Sequence, residues 1–286
     1  IIALKALGYD ATQLTTASGQ SLNAAQKLTD MLDSVLADQY GIYSLPYILI
    51  ALQQDADYAT QEDLAKIVNA ILDARLTGAG WGYETTDADT TAPILLALSP
   101  YYNSNATVKT AIDEAATALK TLQGDSGAID VLNWTTQELE PNANSTGLAI
   151  TGLAAVGIDP ATVTNASGKS LLDGLSVLAN DNMDGFLYNG ISNMMATEQG
   201  FRGLLAAAAY QAGGYNIYDF SDKPTNSGAA TIATYTATFV IRDSEGDRVT
   251  RDATITVRNN EGTKMRATNT GIYELPAGSY TYTVKY

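Results

Sequence analysis

The feature that most constrains this chain is an internal repeat. Residues 6–10 recur as residues 155–159, and residues 17–22 recur as residues 166–171, in both cases at an offset of 149 positions. Two further units with the same order of elements lie between the copies, so the basic period is about 50 residues, which is typical of stacked helix pairs. The repeat therefore predicts a helical array over most of the chain.

Each unit contains an apolar helix, a loop, an amphipathic helix and a longer loop with glycine and aromatic residues. The apolar helices are nonpolar nearly all round, which requires burial on most faces, whereas the amphipathic helices carry one apolar stripe. We therefore expect inner helices surrounded by outer helices. The expected inner helices cover residues 1–8, 43–53, 90–99, 145–156 and 197–212, and the expected outer helices cover residues 20–36, 60–76, 106–122 and 167–180.

Helix-terminating residues support these boundaries. Polar residues that can accept backbone N–H groups precede three helical runs, and glycine ends two others. Two prolines fall in the first turns of inner helices, where a missing N–H is tolerated. The residues are Asn105, Ser167 and Thr60 (with Asp63 as a capping-box partner), Gly8 and Gly157, and Pro46 and Pro93.

The pattern changes class near residue 213. From there Thr, Val and Tyr alternate in short runs separated by glycine turns, which predicts a small antiparallel β-sandwich. The chain is therefore expected to be a multidomain protein with an α domain at residues 1–222 and a β domain at residues 223–286.

Composition excludes several classes of function. Residues 1–227 hold 9 Lys and Arg against 25 Asp and Glu, whereas residues 228–286 hold 7 against 6. Such an acidic surface repels nucleic acid and anionic lipid, so neither is expected as a partner. The chain has no Cys and no His, which removes thiolate nucleophiles, disulfides, imidazole bases and the usual zinc ligands. We expect no metal and no cofactor.

The composition fits a secreted protein. A cysteine-free chain rich in Thr, Asn and Tyr is typical of extracellular proteins of Gram-positive bacteria. The sequence shows no membrane-spanning run, so no membrane insertion is expected. It starts in the middle of an apolar helical pattern, which leads us to expect that its natural start has been lost.

One stretch resembles a known family. Residues 80–83, Gly-Trp-Gly-Tyr, are followed by residues 87–92, Asp-Ala-Asp-Thr-Thr-Ala, and an apolar helix. This resembles the squalene-cyclase and prenyltransferase repeat of the α/α toroid superfamily, over about residues 1–213 and most strongly at 78–98. The resemblance implies an α/α toroid. The sequence supplies only about four and a half helix pairs, fewer than the closed ring of these relatives, so we expect either that an N-terminal part is missing or that the ring is open. Cobalamin carriers share this toroid.

The end of the chain resembles a second family. Residues 273–284 are similar to carboxypeptidase-regulatory-like and Ig-like modules of bacterial surface proteins, in which Leu-Pro-Ala-Gly-x-Tyr forms the turn before the last strand. The resemblance implies a spacer module on a cell-surface protein.

The candidate site lies where inner helices begin. In the cyclases the middle Asp protonates an alkene, and Asp89 matches that acid, although Thr90 replaces the final Asp of the motif. Capping of the helix is the alternative role for Asp87 and Asp89. The aromatic residues either clamp loops onto helices or form an exposed ring around the mouth of the toroid. The candidate ligand-binding residues are Trp81, Tyr83, Asp87, Asp89, Trp134, Asn144, Tyr188 and Glu198, and Asp89 is also a weak catalytic candidate.

Three functions follow from these patterns. We expect a noncatalytic surface domain that binds an extracellular glycan, peptide or small molecule. An enzyme that uses Asp89 and nearby carboxylates, either terpene-cyclase-like or glycan-active, is one alternative, and a cobalamin-type carrier is another. Residues 181–185 superficially match a calcium loop, but Met183 stands at a ligand position, so a tight turn is expected there.

Overall fold

The protein combines helices with small sheets. The computed structural model describes residues 1–16, 19–77, 79–223, 230–231, 234–260, 262–276 and 278–286. Residues 17, 18, 78 and 277, which belong to the sequence patterns above, lie outside these ranges. The chain divides into two compact units, a helical unit of residues 1–8 and 25–224 and a β unit of residues 9–24 and 225–286.

The composition of the β unit corrects one predicted boundary. Residues 9–24 were expected in the helical domain, but they belong with the C-terminal residues. The reason is backbone pairing: Leu14–Thr15 (β1) pairs antiparallel with Ser21–Leu22 (β2) and parallel with Ala230–Thr231 (β7). Pairing between strands that lie far apart in the chain cannot be predicted from a short sequence window.

The inner helices form where their apolar patterns predict them, to within about three residues, which is the usual uncertainty of helix boundaries. The expected outer helix at 20–36 is broken into two, and the one at 167–180 is reduced to six residues. The helices are α1 Ile2–Ala6, α2 Ala24–Asp30, α3 Leu32–Ala37, α4 Leu45–Leu52, α5 Gln61–Asp73, α6 Ala88–Leu98, α7 Ala106–Thr121, α8 Ala143–Ala155, α9 Leu171–Ser176 and α10 Met194–Gln211.

Most of the predicted helix ends are confirmed. Thr60 and Asp63 form a capping box, and Asn105 accepts the N–H groups of Thr107 and Val108. Gly8 and Gly157 have φ values of 81° and 80°, which a residue with a side chain rarely adopts.

Two of the predicted end residues are corrected. The residue that caps α9 is Ser170 rather than Ser167, because the helix starts later than expected. Pro93 lies in the second turn of α6, since that helix starts earlier than expected.

The four inner helices α4, α6, α8 and α10 pack side by side in chain order, and α5, α7 and α9 pack outside α4, α6 and α8. Their direction follows from three contacts. Ser145 in the first turn of α8 donates a hydrogen bond to Asp89 in the first turn of α6, and Gln53 after α4 donates to the Ala97 carbonyl near the end of α6. Asn216, shortly after α10, donates to the hydroxyl of Ser99, the residue after α6. The inner helices are therefore parallel, and their N-termini lie at one end of the unit.

Backbone-to-backbone packing joins α8 to both of its neighbours. A Cβ atom on Gly152 would lie 2.6 Å from the carbonyl oxygen of Ala92 in α6. A Cβ atom on Gly147 would lie 2.2 Å from the carbonyl oxygen of Gln199 in α10, and one on Gly203 would lie 2.8 Å from the Cα atom of Gly147. Glycine at these positions lets the helices approach more closely than any other residue would allow.

Both ends of the helical unit are anchored beside the end of α4. Lys5, only 2% exposed, forms an ion pair of 2.8 Å with Asp55. Gln54, 4% exposed, donates its side-chain amide to the Tyr218 carbonyl and accepts the Phe220 N–H. The segment after α10 thereby crosses back to α4, and we call residues 214–221 the crossing segment.

The β unit has a small core between two antiparallel ladders. Val257, Tyr273 and Leu275 are buried in it, and the Phe239 ring packs edge-on against Tyr273 with ring centroids 5.7 Å apart. These ladders do not by themselves establish a β-sandwich, which stays a prediction. The ladders pair β8 Thr234–Thr238 with β10 Ile272–Pro276 and β9 Thr254–Asn259 with β11 Tyr280–Lys285.

The close helix contacts predict the effect of adding one methyl group. We expect Gly147→Ala to destabilise the helical unit by about 1–3 kcal/mol, because the new Cβ would overlap backbone atoms that cannot move aside. Both tryptophans, Trp81 and Trp134, belong to this unit, so tryptophan fluorescence during urea unfolding reports its stability alone.

The matched control for this change is Gly214→Ala, whose added Cβ would meet its nearest neighbour at an ordinary 3.5 Å. We expect the control to stay within about 0.5 kcal/mol of the wild type. Equal stability of the two variants would contradict the packing described here.

Candidate functional site

The same hydrogen bond recurs where three loops enter inner helices. In each case a backbone N–H in the loop donates to a threonine hydroxyl at the fourth residue of the helix that follows. The small hairpins β3 Asp130–Leu132 with β4 Leu139–Pro141 and β5 Phe186–Tyr188 with β6 Ile191–Asn193, which the sequence did not predict, lie in two of these loops. The pairs are Trp81 with Thr91 at 2.9 Å, Ile129 with Thr146 at 2.9 Å and Phe186 with Thr197 at 3.0 Å. We call this contact the threonine latch.

The residue before each of these helices is an Asx cap. Asp87, Asn142 and Asn193 accept the backbone N–H of the third helical residue through their side chains, Asp87 at 2.7 Å. Burial raises the pKa of Asp87, and hydrogen bonds from Thr90 offset this effect only in part. Asp87 therefore takes the capping role that was one of its two predicted alternatives.

Trp81 belongs to the core of the helical unit. Its side chain is 0% exposed, and its indole N–H donates to the Ile71 carbonyl at 2.6 Å. The ring clamps the loop onto α5, which was the alternative to ligand contact. Trp81 is therefore removed from the candidate ligand-binding residues.

The other candidate aromatic residues are exposed. Tyr83 is 73% exposed and Trp134 81% exposed, and Tyr188 is also exposed. They lie in the loops that enter α6, α8 and α10. Because these helices are parallel, all three loops lie at the N-terminal end of the inner helices.

Asp89 and Asn144 occupy equivalent positions, two residues after the caps of α6 and α8. Asp89 is exposed and accepts the Ser145 hydroxyl at 2.6 Å, which links α6 to α8. Asn144 has no such partner from the next helix, because the residue of α10 that is equivalent to Ser145 is Ala196, which has no hydroxyl group. The Oδ1 atom of Asn144 is buried without a hydrogen-bond partner in the part of the chain that the structure describes.

The inner helices and the crossing segment surround a pocket of about 170 Å³. Its floor is apolar and comes mainly from α4, α6 and α8, with Ile50, Leu96 and Leu148 among the lining residues. Its polar lining consists mainly of Tyr47, Arg202 and Tyr218. We call this cavity the central pocket.

An ion pair and two phenols define the electrostatics of the central pocket. Arg202 donates through Nε to Glu198 at 3.0 Å, and its guanidinium carbon lies 5.9 Å from the centre of the Tyr218 ring. Burial alone would lower the pKa of Arg202, but the hydrogen bond that Arg202 donates to Glu198 and the charge of that carboxylate raise it.

The two phenols of the central pocket stay protonated. Burial is the largest cause that raises the pKa of both Tyr47 and Tyr218. The charge of Arg202 lowers the pKa of Tyr47, and the charges of Asp89 and Glu198 add to the rise. At neutral pH both hydroxyl groups can therefore donate hydrogen bonds.

Sequence reasoning missed three residues of the central pocket. Tyr47, Arg202 and Tyr218 were not singled out, and none of the candidate residues from the sequence lines the pocket. One signal was available: Arg202 is the only Lys or Arg in α4, α6, α8 and α10, and it stands four residues after Glu198, the spacing of an ion pair on a helix. Tyr218 carried no local signal, because it joins the pocket only through the crossing segment.

The calcium-like stretch at residues 181–185 forms a turn, as expected. Asn180 donates its amide to Asp184 at 2.8 Å, and Met183 has a φ of 57°. Among the described residues, the structure contains no group of three or more His, Cys, Asp and Glu side chains arranged to hold a metal ion.

Comparisons with known proteins show only distant structural similarity. No protein-family profile matches the chain, and no curated protein matches it. Among solved structures, a polysaccharide lyase is similar with a TM-score of 0.43 and 12% identity, over 73% of this chain and 70% of the lyase. At this level of similarity nothing about activity is transferred to this chain.

The lengths and hydrophobicity of the helices show whether any could span a membrane. None of the helices in the described ranges combines the length and the apolar character needed to cross a bilayer.

The buried carboxylate of Asp87 predicts an unusual result. Asn142 and Asn193 cap equivalent helices, so Asp87→Asn should keep the cap while it removes a charge that burial disfavours. We expect Asp87→Asn to be at least as stable as the wild type at pH 7, whereas Asp87→Ala loses about 1 kcal/mol with the cap.

The pH dependence of the Asp87→Asn variant follows from the raised pKa. The folded state binds the Asp87 proton more tightly than the unfolded state does, so ionised Asp87 costs stability at neutral pH. The advantage of Asn should shrink as the pH falls through the raised pKa, and vanish below the ordinary carboxyl range. Urea unfolding at pH 7 and pH 4 measures this. If Asn is as damaging as Ala at pH 7, the assignment of Asp87 as a cap is wrong.

The threonine latch predicts a larger effect. Thr146→Val preserves shape but leaves the buried N–H of Ile129 without its acceptor, which should cost about 1–3 kcal/mol. Thr110→Val, on the exposed side of α7, removes a hydroxyl that bonds only the Ala106 carbonyl and serves as the control. Urea unfolding followed by tryptophan fluorescence compares the two variants, and equal losses would contradict the latch.

Proposed function

We propose that the helical unit is a noncatalytic binding domain of an extracellular bacterial surface protein, and that the β unit is its Ig-like spacer. The helical unit would be an α/α-toroid-type array of few helix pairs, in line with the sequence resemblance. Parallel inner helices with outer helices packed against them support this interpretation.

One observation carries the proposal of binding. The central pocket joins an apolar floor to the phenols of Tyr47 and Tyr218, and neither phenol oxygen has a hydrogen-bond partner among the described residues. Burial raises the pKa of both phenols, so each hydroxyl keeps a proton that it can donate. A ligand that accepts hydrogen bonds from these phenols would use two donors that no described residue occupies.

The shape of the central pocket favours a small amphipathic group. A pocket of about 170 Å³ accommodates one sugar ring or one side chain, whereas drug-sized ligands need roughly 300 Å³ or more. A sugar ring has an apolar face for the floor and hydroxyl edges for Tyr47, Tyr218 and Arg202. We therefore favour a glycan over a peptide or another small molecule. The exposed Tyr83, Trp134 and Tyr188, in the loops that enter α6, α8 and α10, would add stacking surfaces outside the pocket.

The alternatives have less support. Alkene protonation requires a strong acid in a dry cavity, but Asp89 is exposed and hydrogen-bonded to Ser145. A corrin ring is far larger than the central pocket. A glycan-active enzyme that uses Asp89 and Glu198 would share the proposed ligand, and it differs from the binding domain in yielding cleaved products.

A binding screen tests the proposal. The probes are cellohexaose, maltohexaose and chitohexaose, a mixture of random hexapeptides, and cyanocobalamin, each measured by calorimetry on the full chain. We expect at least one hexasaccharide to bind, and the double variant Tyr47→Phe, Tyr218→Phe to weaken it about thirtyfold, because two hydrogen bonds of about 1 kcal/mol each are lost.

A second double variant controls for the loss of hydroxyl groups elsewhere. Tyr210→Phe with Tyr215→Phe alters a ring pair at the far end of α10 and should leave the affinity unchanged. Failure of every probe to bind would overturn the proposed function. Binding that is unaffected by the Tyr47 and Tyr218 changes would move the site elsewhere, and shortened oligosaccharides after incubation would replace binding with catalysis.

A further inference from the structure

The β unit contains a second pocket whose lining differs from that of the central pocket. Its volume is about 480 Å³, and it is lined by two arginines, two threonines, an asparagine and an isoleucine, with no carboxylate among them. The residues are Arg248, Thr250, Arg251, Asn269, Thr270 and Ile272. We call it the arginine pocket.

The two guanidinium groups of this pocket are free to bind an anion. Neither Arg248 nor Arg251 forms an ion pair or a side-chain hydrogen bond with any residue in the described part of the chain. By contrast, Arg242 and Arg258 in the same unit donate to the carbonyls of Gly246 and Gly262 and are occupied in their own turns. Free arginines are notable in a chain with 31 acidic and 16 basic residues.

A buried threonine holds the walls of the arginine pocket in place. Thr250, only 3% exposed, accepts the N–H of Ile241 through its hydroxyl at 2.9 Å. A Cβ atom on Gly271 would lie 2.8 Å from the Thr250 methyl group, so the turn that carries Asn269 and Thr270 packs directly against Thr250. The arginines on either side of Thr250 thus flank a framework that exists before any ligand binds.

The side chains of the arginine pocket are mainly donors. Each guanidinium has five N–H groups in a planar fork that matches the oxygens of carboxylate, sulfate or phosphate. The Oδ1 atom of Asn269 already accepts the Thr270 N–H, which leaves its amide N–H groups for a ligand. The volume exceeds that of a bare oxyanion and leaves room for a sugar-sized body.

We infer that the arginine pocket binds an oxyanion, a carboxylate, sulfate or phosphate group, carried on a sugar-sized ligand. Arg248 and Arg251 hold the anionic group, and Asn269 and Thr270 contact the hydroxyl groups of its body. This site is separate from the central pocket and does not depend on the function proposed for it.

Four probes with one carbon skeleton test the inference. Glucose, glucuronate, glucose 6-sulfate and glucose 6-phosphate are titrated into the isotopically labelled full chain, and amide and arginine Nε–H shifts are followed by NMR. We expect at least one anionic probe to shift the signals of Arg248, Arg251, Asn269 and Thr270, and glucose to leave them unchanged. The tightest of the three anions identifies which oxyanion the pocket prefers.

Variants separate a specific site from general attraction of anions. Arg248→Gln with Arg251→Gln should weaken binding at least tenfold, and Arg248→Lys with Arg251→Lys should weaken it severalfold, because charge remains but the fork is lost. The control Arg266→Gln with Lys285→Gln removes the same charge from the same unit and should change affinity less than twofold. No shift with any anion, equal shifts with glucose, or equal losses in the control would each overturn the inference.

Discussion

Close packing of α8 against α6 and α10 is the constraint on which the helical unit depends. Gly147, Gly152 and Gly203 place backbone against backbone, so the inner helices lie nearer to one another than helices separated by larger side chains. Narrow spacing has two results. It brings the first turns of neighbouring helices within hydrogen-bond distance, as Ser145 and Asp89 show, and it limits the space that the helices surround to a small pocket.

The N-termini of α6, α8 and α10 are stabilised by the same set of hydrogen bonds. The free N–H groups of each first turn are met by an Asx cap, and a threonine one turn inside the helix holds the incoming loop. The residues of the stretch 87–92 therefore have different roles. Asp87 and Thr91 serve the helix and its loop, while Asp89 points to solvent and to the neighbouring helix.

Sequence patterns predicted those features of the fold that depend on interactions between nearby residues. The inner helices, the capping box at Thr60 and Asp63 and the glycine ends followed from apolar periodicity and cap chemistry, which act within a few residues. The threonine latch escaped notice because its partners are separated by 10, 17 and 11 residues in the three repeats. Tyr218 and the strand pairing of residues 9–24 depend on contacts across most of the chain, which a single sequence does not display. The predicted site at the N-terminal mouth of the inner helices therefore differs from the central pocket, whose lining includes none of the candidate residues.

The anchoring of the helical unit has a mechanical consequence. Lys5 near its beginning is tied to Asp55, and the crossing segment near its end is tied to Gln54, the adjacent residue. A pulling force that enters at Lys5 and leaves at Phe220 can thus pass through two neighbouring residues and a few polar contacts. The packed faces of α6, α8 and α10 lie outside this short path. Tension along the chain can therefore bypass the contacts between these three helices until the few polar contacts beside α4 break.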